Sequence, residues 1–94
     1  MAHQVNLAWT ASTDGVDGYN VLRSQVSGGP YTQVNTALVA TTAFSDNGPF
    51  SNLGPYFYVA ASVKGTAVSV FSNETPAVFL PPAAPTSLHV ASVT

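Results

Sequence analysis

The chain has 94 residues, enough for one domain of ordinary size, and carries a net charge of -2 with only two basic residues. Because it has no cluster of Lys or Arg and no cysteine, the composition argues against nucleic acid binding, disulfides and zinc–thiolate sites. No apolar run approaches the roughly 20 residues that span a bilayer, so we expect no membrane partner.

Two segments near the start of the chain have the alternating pattern of a half-buried strand. In VNLAWTAS, Val5, Leu7 and Trp9 alternate with small or polar residues, which places three large apolar side chains on one face. In GYNVLRS, Tyr19 and Val21 share a face in the same way. Both segments are therefore predicted to be strands that bury these residues.

The rest of the chain continues with short strand signals. YTQVNTALVA and TAFSDNG are weak, and YFYVAASV is strong, with Tyr56 and Tyr58 on one face and Phe57 and Val59 on the other. AVSVFSNETPAVF is a further weak signal. No segment has the apolar spacing of an amphipathic helix. Short strands between Gly-, Pro- and Asn-rich turns predict an all-β antiparallel sandwich.

Several of these segments resemble a known family. VNLAWTASTDGVDGYNVLRSQVSGGPYTQV resembles strands B, C and C' of a fibronectin type III domain, particularly the domains of bacterial extracellular proteins. FSNLGPYFYVAASV resembles the E–F turn and strand F, and VFSNETPAV resembles strand G, so the likeness covers about residues 5 to 78. It implies an immunoglobulin-like sandwich of about seven strands, with Trp9 buried between the sheets.

The resemblance also implies a structural role for Tyr56. In this family a large apolar residue lies six positions before the tyrosine of the E–F corner, and Phe50 and Tyr56 have that spacing. We therefore expect the Tyr56 hydroxyl to contact a backbone group of the E–F turn. The full set of predicted core residues is Val5, Leu7, Trp9, Tyr19, Val21, Phe50, Tyr56 and Tyr58.

The C-terminal segment PAAPTSLHV resembles the opening of such a domain, a proline-rich lead-in followed by strand A with Leu88 and Val90 facing inward. In the family strand A precedes strand B, yet only four residues precede Val5. The expected strand order is therefore B-C-C'-E-F-G-A. Residues 1–80 are predicted to form a sandwich without its A strand, and residues 81–94 a proline-rich linker plus an A-strand-like segment.

Several placements of this C-terminal segment remain open: pairing with strand B of a neighbouring copy, closure on its own domain as a circular permutant, disorder, or membership of a following domain. An extended linker from Leu80 to Pro85 covers about 16 Å, less than the roughly 23 Å of a seven-residue strand. This difference favours pairing between copies. Leu88 and Val90 are then the predicted strand-exchange residues.

The residues that could carry chemistry are scattered. His3 lies in the N-terminal residues 1–4, which we expect to be disordered, and His89 is predicted to face outward. The acidic residues are expected in loops or at a strand edge: Asp14, Asp17, Asp46 and Glu74. Neither a histidine held by a carboxylate beside a nucleophile nor a pair of carboxylates across a cleft is predicted. We therefore expect no enzymatic activity, no cofactor and no metal site.

Two classes of function remain. The resemblance implies a non-catalytic spacer or interaction module of a larger secreted bacterial protein, whose partners are neighbouring domains or copies of itself. The alternative is a module that binds polysaccharide or protein through the outer face of the C-F-G sheet, where Leu22, Phe57 and Val59 form a predicted contact patch. Both imply an extracellular location, although MAHQVNLAWT lacks the features of an export signal.

The loop TDGVDG is predicted not to bind calcium. Asp14 and Asp17 are three positions apart, whereas an EF-hand loop needs oxygen ligands at every second position and a glutamate further on. We expect millimolar calcium to leave the melting temperature unchanged, because a ligand of the native state would raise it by mass action. Thermal unfolding monitored by fluorescence tests this, and a rise of several degrees that disappears in Asp14→Asn would contradict it.

Overall fold

The computed structural model describes residues 3–79 and 88–93. Its strands are β1 (Val5–Ala8), β2 (Gly18–Ser24), β3 (Thr32–Gln33), β4 (Ala43–Asp46), β5 (Tyr56–Lys64), β6 (Ala67–Val68) and β7 (Thr75–Ala77). β1 and β4 form one antiparallel sheet, and the second sheet has the order β3-β2-β5, with β6 and β7 both pairing with the far side of β5. The predicted all-β antiparallel sandwich is confirmed. Within the described ranges there is no helix long and apolar enough to cross a membrane.

The core lies between the two sheets. Its buried centre consists of Val5, Val21, Tyr56 and Tyr58. Tyr19 is also buried, whereas Leu7, Trp9 and Phe50 are half-buried and pack against the centre.

Trp9 is less buried than the sequence predicts. Its ring meets Tyr19 edge-on, with 5.4 Å between ring centroids, at the margin of the core. The sequence predicts Trp9 buried between the sheets; in the structure it packs against the buried centre and is half-buried. The physical reason is that Trp9 directly follows β1, whose outer edge no described strand covers.

Asp46 joins the two sheets. It ends β4, is only 4% exposed, and its Oδ2 accepts hydrogen bonds from Arg23 Nη1 of β2 at 2.8 Å and from the Tyr58 hydroxyl of β5 at 2.7 Å. Its Oδ1 accepts a hydrogen bond from the backbone N–H of Gly48 at 3.0 Å. Burial, followed by the hydrogen bond to Asp46, raises the pKa of Tyr58, so this hydroxyl remains a donor at neutral pH.

The turn before β5 is built around Tyr56. The Tyr56 hydroxyl accepts hydrogen bonds from the backbone N–H groups of Ser51 at 3.0 Å and Asn52 at 3.2 Å. This is the expected contact between the corner tyrosine and the E–F turn. Burial alone would raise the pKa of Tyr56, but its hydrogen bonds to Asn52 and Ser51 lower the pKa overall. Gly54, with φ of 93°, adopts the left-handed conformation that this turn needs.

His3 and Gln4 both contact the sandwich. The His3 ring stacks on Phe79 with 4.3 Å between centroids, and Gln4 Nε2 donates a hydrogen bond to Asn47 Oδ1 at 2.8 Å. The sequence predicts a disordered end at His3, whereas the structure places its ring against Phe79. Phe79 also packs edge-on against Phe50, so His3 extends an aromatic cluster at the end of the sandwich where β1 begins.

The inter-sheet ion pair predicts a large mutational effect. Asp46→Ala leaves Arg23, which is 22% exposed, without its partner and removes the acceptor of the Tyr58 hydroxyl. Because breaking a buried pair from one side costs roughly 3–5 kcal/mol, the midpoint of urea unfolding should fall markedly. Asp14→Ala, in an exposed loop, is the matched control and should leave the midpoint nearly unchanged. Equal midpoints for the two variants would refute the structural role of Asp46.

Candidate functional site

The outer edge of β1 has no partner strand within residues 3–79 or 88–93. The N–H of Trp9 donates to the carbonyl oxygen of Thr42 at 2.9 Å, which continues the antiparallel β1–β4 register. Hydrogen-bonded positions alternate in such a pair, so the backbone N–H and C=O groups of Asn6 and Ala8 point away from β4. They form an open edge that a further strand can pair with.

A groove lies beside this open edge, between β1 and the segment that leads into β7. Its inner part has a volume of about 80 Å³, and it continues past Trp9 into a wider part of about 550 Å³. The inner part is lined by Leu7, Ala8, Trp9, Val21, Tyr58, Val59, Ala60, Ser72, Asn73 and Thr75. No charged side chain lines either part. An uncharged strand with apolar side chains on one face fits such a groove.

The Trp9 ring lines this groove. Its indole Nε1 is the buried side-chain polar atom that has no hydrogen-bond partner in the described part of the chain. A buried N–H without a partner costs roughly 1–3 kcal/mol. Because this atom is buried, it is the ring of Trp9 and not its N–H that meets the groove.

The wall opposite β1 is a distorted edge. Five positions separate Tyr58 from Val63 on β5, whereas seven separate their partners Val68 and Thr75, so the edge segment holds two extra residues. The family strand G is therefore divided into β6 and β7. Serine hydroxyls complete the ladder, because Ser69 Oγ and Ser72 Oγ accept hydrogen bonds from the backbone N–H groups of Ser62 and Ala60 at 2.8 and 2.9 Å.

This bulged edge and the edge of β1 differ in how readily they accept a strand. Bulges interrupt a regular row of backbone groups and so discourage pairing with another chain. β1 keeps a regular register with β4 over all four of its residues. Of the two strands that flank the groove, β1 is therefore the better acceptor.

The predicted donor segment lies outside the sandwich. Residues 88–93 form neither helix nor strand, and the side chains of Leu88 and Val90 are 98% and 74% exposed. The predicted C-terminal A strand is therefore not among the seven strands observed in the described residues. The number seven is reached because strand G is divided into β6 and β7. β1 has four residues rather than the seven assumed for strand B. The comparison of linker length with strand length therefore no longer favours pairing between copies.

The predicted contact patch on the outer face is wrong in its central residue. Val59 is only 4% exposed, while Leu22 and Phe57 are half-buried. The reason lies in the β2–β3 loop, which binds Glu74 next to β7 and therefore spans the intervening strand β5. Sequence periodicity places side chains on a face but does not show which loop covers that face.

Glu74 holds the loop in place with three hydrogen bonds. Its carboxylate accepts from Ser27 Oγ at 2.6 Å, from the backbone N–H of Gly28 at 2.7 Å and from the Tyr31 hydroxyl. The bond from Gly28, with those from Ser27 and Tyr31, lowers the pKa of Glu74. Tyr31 packs edge-on against Phe71, with 5.4 Å between centroids, so an aromatic pair adds to this cover.

The remaining acidic residues are Asp14 and Asp17. Asp17 Oδ2 accepts a hydrogen bond from the backbone N–H of Gly65 at 2.7 Å and so supports the β5–β6 turn. Asp14 is exposed, and in the parts of the chain that the structure describes no three His, Asp or Glu side chains come together as metal ligands. His89 is exposed in the C-terminal segment.

Sequence reasoning missed the Asp46 network and the Glu74 contacts. A signal existed for the first: Arg23 continues the inward face of β2 after Tyr19 and Val21, and an inward-facing cation needs a buried counter-charge. No local signal marks Glu74, because its partners lie 43 to 47 positions away in the chain.

Comparison with known proteins gives a structural match. A structure described as the crystal structure of a Fn3-like protein from Clostridium thermocellum is similar to this chain, with a TM-score of 0.72 and 32% sequence identity. The match covers 86% of this chain and 81% of that one. No model of a protein family and no curated protein matches the sequence.

The Glu74 contacts predict a specific pH dependence. Because the pKa of Glu74 is lower in the folded than in the unfolded state, its stabilising effect is present above the unfolded pKa of about 4.3 and is lost as the pH falls through the folded pKa. Glu74→Gln should lower the urea midpoint at pH 7, and its difference from the parent chain should shrink towards pH 3. A difference that stays constant with pH would contradict this role of the carboxylate.

Proposed function

Because the chain belongs to the fibronectin type III-like family, we propose that it is a non-catalytic spacer or interaction module of a larger extracellular protein, completed by a β-strand that pairs with the outer edge of β1. The observation that carries the proposal is the groove beside this edge, with the half-buried Trp9 ring at its wall. The module spans residues 1–80, and residues 81–94 act as a connection and strand-bearing segment.

The geometry supports assembly rather than chemistry. The titratable side chains with described contacts serve the fold: Asp46 pairs with Arg23, Glu74 holds a loop and Asp17 supports a turn. The groove is uncharged, apolar on its inner side and flanked by open backbone groups. Recognition of an incoming strand through main-chain hydrogen bonds and pockets for alternate side chains needs these features.

The alternative of a binding module that uses the outer face of the β2–β5 sheet has less support. Val59 is buried, and the loop held by Glu74 spans the strand that carries Phe57. Recognition of polysaccharide on a flat face needs exposed aromatic platforms, and Phe57 is half-buried. No observation on this face favours a second candidate function.

A rearranged chain tests the proposed function. In this variant residues 83–94 are moved ahead of Val5 and joined to it by a short Gly-Ser turn, and the chain ends at Phe79. Pairing with β1 would bury Leu88 and Val90, each worth roughly 1.5–3 kcal/mol when fully buried. We therefore expect unfolding to cost about 2 kcal/mol more than for the parent chain, with slowed hydrogen exchange at the amides of Asn6 and Ala8.

The matched control is the same rearranged chain carrying Leu88→Asp and Val90→Asp, which keeps the topology but cannot bury the strand. This control should show neither the gain in stability nor the protected amides. If the rearranged chain without these changes exchanges Asn6 and Ala8 as fast as the control does, the edge of β1 does not accept a strand, and the proposal fails.

A further inference from the structure

We infer that the strand accepted by β1 is residues 88–93 of a second copy of this chain, so that copies associate head to tail. The inference rests on the proposed function and identifies the partner at the same groove. It assigns two roles: Leu88 and Val90 enter the groove, and the inserted strand covers the Trp9 ring at its wall.

Residues 88–93, LHVASV, have the apolar and uncharged character that suits the groove. In an extended strand Leu88 and Val90 share one face, and in the structure both side chains are exposed, by 98% and 74%. The segment contains no Asp, Glu, Lys or Arg, and no charged side chain lines the groove. Insertion therefore buries apolar surface without burying an unpaired charge.

The position of the chain's exit favours a second copy over closure on the same domain. Phe79 stacks on His3, so the chain leaves the sandwich at the end where β1 begins. An antiparallel partner of β1 must start at the opposite end, beside Ala8 and Trp9. Closure on the same copy requires residues 80–87 to travel back along the domain, whereas insertion into a neighbouring copy requires no return.

Trp9 provides an independent reason for an occupant. Its ring is half-buried and lies at the wall of the groove, next to the open edge of β1. A strand paired with β1 covers the exposed part of this ring, so insertion removes further apolar surface from water.

The arrangement is open-ended. Each copy donates one segment and accepts one strand, and the donating and accepting surfaces are different. A contact of this kind extends into linear chains unless its geometry closes a ring. The expected products are therefore a concentration-dependent series of oligomers rather than a dimer alone.

The single tryptophan reports on this site directly, because Trp9 is the only one in the chain. With rising concentration of the full chain, sedimentation velocity should show growing mass. Over the same range, Trp9 emission should move to shorter wavelength and acrylamide quenching should fall. Leu88→Asp should abolish all three effects. Val78→Asp, at an exposed apolar residue that does not line the groove, should retain them.

A mixing experiment separates donor from acceptor. Leu88→Asp keeps the acceptor groove and its tryptophan, and Trp9→Phe keeps the donor segment without a tryptophan. When Trp9→Phe is added, the emission of Leu88→Asp should move to shorter wavelength. Addition of the double variant Trp9→Phe/Leu88→Asp should leave it unchanged.

Three results overturn the inference: a monomeric chain at all concentrations, association that leaves Trp9 emission unchanged, or association that persists in Leu88→Asp. A monomer whose Trp9 is shielded at every concentration would show closure on the same copy, which overturns the inference but leaves the proposed function intact. Failure of the rearranged chain to protect Asn6 and Ala8 would remove the proposed function as well.

Discussion

The buried carboxylate of Asp46 is the contact on which the sandwich depends. A two-stranded sheet such as β1–β4 is marginal by itself in water, so it must be held against the larger sheet. Asp46 does this at the end of β4 by accepting hydrogen bonds from Arg23 on β2 and Tyr58 on β5. The Arg23 guanidinium also lies 5.0 Å from the ring centroid of Phe50. This contact joins the ion pair to the aromatic cluster of Phe50, Tyr56 and Phe79.

Within the described residues the smaller sheet has two strands, so the core between the sheets is closed on one side and open on the other. Near Asp46 the sheets are joined by polar contacts and by Phe50, Tyr56 and Phe79. Near Trp9 the two sheets are separated by the groove. The two strands that flank the groove are also unequal, since β1 is regular and its opposite wall is bulged. Of the two, β1 therefore presents the more regular row of backbone groups.

Much of the fold followed from the sequence. Alternation of apolar residues located the strands that contain Val5, Val21 and Tyr58, and the spacing of Phe50 and Tyr56 located the turn whose backbone the tyrosine hydroxyl contacts. These features are local, because a period of two and a fixed spacing are written in neighbouring residues. The family resemblance drawn from them agrees with the Fn3-like match.

The sequence by itself determined the all-β class, the main strands and the corner tyrosine. Only the tertiary structure decided that Val59 is covered, that Trp9 is half-buried at the margin of the core, and that Arg23 meets Asp46. Each of these outcomes depends on residues distant in the chain that approach each other in space. Periodicity assigns a side chain to one face of a strand, but long-range packing decides what lies against that face.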